Sequence, residues 1–284
     1  MSKSDYESLK EVIAYMQSHW PSPVREEYQV PLDEYPQILP KIISDFVEHP
    51  GCLDSDSLTS ATATKNHEFI RIAGLSGSGK TSQILPAVSA YVEKKHTHPI
   101  LVAARRFVDY HPHKNEIANE YGEKNLRKNT DEFSTIMMFL AMNALTKEGY
   151  DIVLDVTLLD PTVEQILITM LEKNHYKSLL LMIATSPTVT EHFLGSRSWR
   201  HSKETEKEFI RATFEALDFY AAKVPSLRII LWSVYDLDPI YDGPVKDSLE
   251  IFQKYSEKTD LPKDDDDERR EAKIQFLSKL ALTA

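Results

Sequence analysis

Cysteine, long apolar runs and basic charge are all scarce in this 284-residue chain, and each scarcity removes a class of protein. The one cysteine, Cys52, allows no disulfide framework within the chain, and no Cys/His grouping has zinc-site spacing, so a reducing compartment fits best. The longest apolar run, Leu179 to Ala184, is far short of the roughly 20 residues that cross a bilayer, and the opening Met1-Ser2-Lys3-Ser4-Asp5-Tyr6-Glu7 has no apolar signal-peptide stretch. We therefore expect no membrane association and a cytoplasmic location, noting that export without a cleavable signal leaves the same sequence. Lys and Arg number 33 against 44 Asp and Glu, a net charge of -11, which argues against a nucleic-acid partner because phosphate neutralisation needs clustered cations.

What is present is an ordinary folding composition, 42% hydrophobic and 27% charged, in a chain long enough for one large domain with a smaller appendage. Ser4 to Glu7 has capping-box spacing ahead of Leu9, Val12, Ile13 and Met16, which recur at helical intervals up to Pro21. A second helix is expected over 32–47, with Ile38, Ile42, Ile43 and Phe46 on one side and Pro36 and Pro40 shortening or kinking it. The Ser/Thr/Asp-rich stretch 51–66 marks a boundary, so residues 1–65 read as a helical N-terminal extension. That extension holds five Lys/Arg against eleven Asp/Glu, about half of the net negative charge.

From Glu68 the pattern becomes short apolar runs alternating with helices, the signature of βαβ units and a mostly parallel sheet. Strands are predicted at 69–73, 100–103, 152–155, 178–184 and 227–234, and helices at 80–94, 130–147, 161–173, 187–196, 203–222 and 245–257. His96, His98, His111 and His113 are read as surface residues. The acidic run Pro262 to Glu268 reads as a solvated linker or helix start, not a metal site, and the closing helix carries Ile274, Leu277, Leu280 and Ala281 on one face. The expected division is thus 1–65, 66–260 and 261–284.

Between the first strand and its helix lies Gly74-Leu75-Ser76-Gly77-Ser78-Gly79-Lys80-Thr81-Ser82, a Walker A sequence. The chemistry requires each part. Glycines let backbone N–H groups turn inward around phosphate oxygens, and the following helix presents its positive end to the same anion. Lys80 then contacts the β- and γ-phosphates, and Thr81 offers its hydroxyl to Mg²⁺. The fold class expected is α/β, P-loop NTPase-like, with ATP and Mg²⁺ as cofactors.

Beyond this loop the residues resemble the zeta toxin family. Phe107-Val108-Asp109-Tyr110-His111-Pro112-His113 followed by Glu120-Tyr121-Gly122 is similar to the segment after that family's second strand, where Phe-Arg is followed by His-Pro. Glu148 to Leu158 is similar to the strand that ends in Glu-Gly-Thr-Leu, and Arg200, nine residues before Phe209-Ile210, stands where the second phosphate-clamping arginine does, with Arg197 in place of the first. Arg228-Ile229-Ile230 to Ile240-Tyr241-Asp242 resembles the final strand and its turn, so the likeness spans about 66–243.

The resemblance implies a kinase that uses ATP and Mg²⁺ to phosphorylate UDP-N-acetylglucosamine or a related nucleotide metabolite, restrained by a helical antitoxin, here in trans or supplied in cis by 1–65. It implies Lys80, Asp155, Arg197 and Arg200 as catalytic, Thr81 and Asp155 as metal ligands, and Arg105, Asp109, His111 and Thr157 around the acceptor. The family's general-base aspartate, two residues before the Phe, is Arg105 here, and an arginine accepts no proton at neutral pH. Asp155 or Asp109 then takes over as base, or Arg105 and Arg106 bind an anionic group of a different acceptor, or the chain is a catalytically silent nucleotide-binding module.

Overall fold

The computed structural model describes residues 24–31, 33–51, 62–158, 161–194, 203–262 and 266–283, together with 10, 13 and 14. Most of the first expected helix, with Leu9, Val12 and Met16, lies outside the described residues, as do Arg197 and Arg200. Six strands form one sheet in the order β2-β3-β1-β4-β5-β6: β1 Glu68–Gly74, β2 Ile100–Val102, β3 Ile152–Asp155, β4 Lys177–Ala184, β5 Arg228–Ser233 and β6 Tyr241–Pro244. The first five run parallel and β6 returns antiparallel on β5. Parallel strands covered on both faces must be apolar throughout, which is why 69–73 and 152–154 are near-continuous hydrophobic runs.

The helices are α1 Tyr35–Glu48, α2 Leu85–Lys94, α3 Lys114–Tyr121, the short α4 Leu126–Asn129, α5 Asp131–Lys147, α6 Pro161–Lys173, α7 Pro187–Leu194, α8 Lys203–Lys223, α9 Leu249–Ser256 and α10 Asp266–Ala281. One face of the sheet packs Ile70, Ile72 and Val153 against Ile84, Leu85 and Val88 of the α2 region and Leu277 of α10. On the other, Ile152 and Leu154 meet Ile136 and Met137 of α5, while Leu180 and Met182 meet Ala216 and Leu217 of α8.

The acidic run ends in the first turn of α10, with Asp266, Asp267 and Glu268 at the positive helix end, where carboxylates are favoured. The second expected helix appears as α1, with Pro36 in its first turn and Pro40 inside it. Its buried Ile42 and Phe46 belong to the same core as β2, β3 and α5.

Arg106 secures this junction. It donates to the carbonyls of His49 (2.9 Å), Pro50 (3.1 Å) and Leu101 (2.6 Å), and its guanidinium stacks on Phe46 at 3.9 Å. The reading of Arg106 as an anion binder is therefore corrected: its donors tie the end of α1 to β2, and burial lowers its pKa below the usual value. The surface reading of His111 is corrected as well, since the side chain is buried edge-on against Phe133.

Candidate active site

The phosphate loop connects the buried end of β1 to a helix that begins unusually wide. Gly79 adopts φ +93°, which side chains other than glycine rarely tolerate, and a Cβ on Gly74 would lie 3.1 Å from the Ile183 carbonyl. Residues Lys80–Ile84 form a π turn before α2, and Pro86, which has no N–H to donate, interrupts the ladder at that changeover. Lys80 Nζ donates to the carbonyls of Gly74 (2.7 Å) and Leu75 (2.9 Å), so its ammonium is held across the loop. Thr81 and Ser82 are exposed at the helix start.

Ser78 Oγ is buried and has no hydrogen-bond partner. Buried hydroxyls are nearly always paired, so an orphan inside a glycine-shaped cradle fits a loop built to close around oxygen-rich ligands. Leu75 also walls a cavity of about 400 Å³ together with Thr185, Phe214 and Phe252, and Thr185 Oγ1 is a second buried hydroxyl without a partner.

Asp155 ends β3 beside the loop strand, in register with Ile72 of β1. Open α/β sheets bind ligands at this carboxyl edge. Arg105, in the 3-10 turn Ala104–Arg106 after β2, donates to Asp155 Oδ2 at 2.6 Å. The Asp155 side chain is 5% exposed and that of Arg105 40%, so the carboxylate is sheltered while the guanidinium faces outward.

The structure thus brings Arg105 onto the carboxylate that ends β3. Among the described residues no group of three or more His, Cys, Asp or Glu has metal-site geometry. A magnesium ion carried by a nucleotide would take most of its shell from phosphate oxygens and water, and the oxygen donors that would hold it here are the exposed Thr81 hydroxyl and the Asp155 carboxylate, the latter paired with Arg105.

The remaining acceptor candidates are spread out. Asp109 is exposed and ion-paired with Lys114. His111 Nδ1 accepts from the His113 N–H at 3.1 Å, and burial together with the nearby His113 pushes its pKa down to about 4. A neutral, enclosed imidazole of this kind holds the turn before Pro112. The Thr157 carbonyl accepts from Arg71 Nη2 at 3.0 Å.

That last bond belongs to a network the sequence reading missed. Arg71, 2% exposed in the middle of β1, pairs with Glu164 of α6, and Tyr220 of α8 accepts from Arg71 (3.2 Å) and donates to Glu164 (2.6 Å). Burial is the largest influence on the Tyr220 phenol and holds its pKa well above 10. The signal was available: an arginine in an otherwise apolar central strand needs a buried acid.

The zeta toxin family model matches residues 55–233. The comparison with curated proteins returns no match. A structure from the PezAT chromosomal toxin-antitoxin system of Streptococcus pneumoniae is similar, with TM-score 0.63 and 18% identity over 89% of this chain and 97% of that one. An AvrRxo1-ORF1:ORF2 structure with ATP follows at TM-score 0.52 and 15% identity, over 87% and 84% of the two chains. The same pair with sulphate ions gives TM-score 0.51 over 88% and 87%. At these identities the structural likenesses establish the fold, while the family model covers well over half of the sequence: the chain belongs to the zeta toxin family.

Proposed function

We propose that this protein transfers the γ-phosphoryl group of ATP to a hydroxyl of UDP-N-acetylglucosamine or a related nucleotide metabolite, in the cytoplasm and under the control of a helical antitoxin. The observation that carries the reading is the glycine cradle with its orphaned Ser78 hydroxyl and Lys80, one strand away from the Asp155 carboxylate. In this reading Gly74 to Ser82 wrap the phosphates, Lys80 moves from its own loop carbonyls to the β- and γ-phosphates, and Arg197 and Arg200 close on them. Thr81 and Asp155 would hold Mg²⁺, which would offset charge on the phosphates when bound. The nucleoside of ATP occupies the cavity beside Leu75.

The bond from γ-phosphorus to the bridging oxygen breaks, ADP leaves, and the acceptor oxygen takes the phosphoryl group while its proton passes to Asp109 or to water. Arg105 turns from Asp155 toward an anionic group of the acceptor, which suits an outward-facing guanidinium. Thr157, Asp109 and His111 shape the acceptor side. The antitoxin reading is supported by the similarity to PezAT and to the AvrRxo1 pair. For the extension 1–65, the packing of α1 into the sheet's own core supports a stabilising role, with the antitoxin acting in trans.

The test is mass-spectrometric detection of phosphorylated product after incubation with MgATP and UDP-N-acetylglucosamine, with Lys80→Ala as control. Product from the wild type alone supports the proposal. Unchanged ATP across a panel of nucleotide-sugar acceptors, from a folded sample that binds ATP, would sink it. The second reading, a silent nucleotide-binding module that controls a partner, would then hold, and the occupation of Asp155 by Arg105 is the observation that favours it.

A further inference from the structure

Helix α10 lies beyond residue 233, where the family match ends, yet it reaches the phosphate loop. Its apolar side packs Leu277, Ile274 and Phe276 into the cluster shared with α2, and Phe276 meets Trp232 edge-on at 5.8 Å. This packing sets the first turn of α10 beside the π turn. Asp266 Oδ1 accepts from Gln83 Nε2 at 3.0 Å and from Arg269 Nη2 at 2.9 Å. Gln83 is 3% exposed, and a Cβ on Gly79 would lie 3.1 Å from its Nε2, so the amide rests directly on the glycine that shapes the loop. The Gln83 N–H also donates to the Gly79 carbonyl at 2.8 Å. The other amide atom, Oε1, is buried with no hydrogen-bond partner, which leaves Asp266 as the acceptor that orients this side chain.

We infer that Asp266 is a positioning residue for nucleotide binding: acting through Gln83, it holds Gly79 and the first turn of the phosphate-loop helix in the ligand-ready shape. The inference rests on the reading of residues 74–81 as a nucleotide loop. A loop ordered in advance loses less conformational freedom when phosphate arrives, and one well-fixed side chain contributes up to about tenfold in affinity by this route. The Asp266 side chain is itself 59% exposed, so replacing it leaves the core of α10 intact.

The experiment is calorimetric titration of the full chain with MgATP, alongside melting temperatures without nucleotide. Asp266→Ala and Gln83→Leu should each weaken MgATP binding about tenfold, and the double variant should bind no more weakly than either single one. Asp266→Asn, whose amide oxygen still accepts from Gln83, should stay near the wild type, as should Asp267→Ala in the same turn. Asp266→Ala and Asp266→Asn both remove the charge beside Arg269, so their ligand-free melting temperatures should shift alike while their affinities differ, which separates positioning from general support of the fold. Unchanged affinity in Asp266→Ala, an equal loss in Asp266→Asn, or additive losses in the double variant would each overturn the inference while leaving the loop reading standing. If the wild type fails to bind MgATP, or Lys80→Ala binds as well as the wild type, the loop reading fails and the inference falls with it.

Discussion

Arg105 Nη1 donates to Asp155 Oδ2 at 2.6 Å, so a side chain from the turn after β2 pairs with the carboxylate that ends β3. Asp155 is 5% exposed, and removing its partner leaves a sheltered charge uncompensated. Arg105→Ala should cost about 1–3 kcal/mol in urea unfolding. Replacing both residues with Leu should cost less than the two single changes added together, since no unpaired charge then remains. Strict additivity would show that the contact contributes nothing to stability.

The phosphate loop and β3 are legible in the sequence because their determinants are local. Ile152–Asp155 is apolar up to its last residue, as a strand buried on both faces must be, and the glycines of the loop stand within a few residues of Lys80. β6 is illegible because Tyr241–Pro244 carries a glycine and a proline, tolerable only at the sheet edge where it lies. α3 escapes notice because Ile117 is its one buried residue, so no stripe forms. Arg106 is misread for a different reason. Its carbonyl partner at Pro50 is 56 residues away, and a donor's targets at that range are invisible until α1 docks. The Asp266–Gln83 bond, spanning 183 residues, is further still beyond reach.

Arg71, Glu164 and Tyr220 link β1, α6 and α8, and Arg71 also reaches the loop after β3 through the Thr157 carbonyl. Glu164→Gln keeps the shape and removes the charge, leaving a buried guanidinium without its counter-ion, so about 3–5 kcal/mol should be lost. Tyr220→Phe deletes one hydroxyl shared by both partners and should cost about 1–2 kcal/mol. Chemical denaturation gives both figures. A neutral Glu164→Gln would mean that the network contributes little.

His111 makes stability depend on acidity in a defined window. Its folded pKa of about 4 lies below the 6.5 of the free side chain, driven by burial and then by His113, with Glu116 opposing. The unfolded chain therefore takes up the proton first, and stability falls as pH drops from 6.5 towards 4. At pH 5 the loss should be roughly 2 kcal/mol. Asp and Glu titrations add to the total slope, so the informative comparison is with His111→Gln, which keeps an acceptor for the His113 N–H. Unfolding curves at pH 7 and 5 should show the wild type losing about 2 kcal/mol more than this variant, and parallel losses would sink the assignment.

Lys273 acts in the same direction as His111 but in a higher pH window. It is fully buried, with Nζ 6.0 Å from the centre of the Trp232 ring and one long bond, 3.3 Å, to the Arg269 carbonyl. Burial and then Arg269 lower its pKa from 10.5 to about 8, against the pull of Asp266 and Asp236. Between those two values the unfolded chain carries a proton that the folded chain lacks, so stability rises with pH across that window and the full cost is present below pH 8. At pH 7 that cost is about 3 kcal/mol. Lys273→Met keeps the apolar stem and removes the ammonium, so it should gain about 2–3 kcal/mol at pH 7 and progressively less towards pH 10. A gain that does not shrink with pH would reflect packing alone. A loss at pH 7 would mean that the ammonium has partners strong enough to offset its burial, and that α10 is held on the sheet partly by charge.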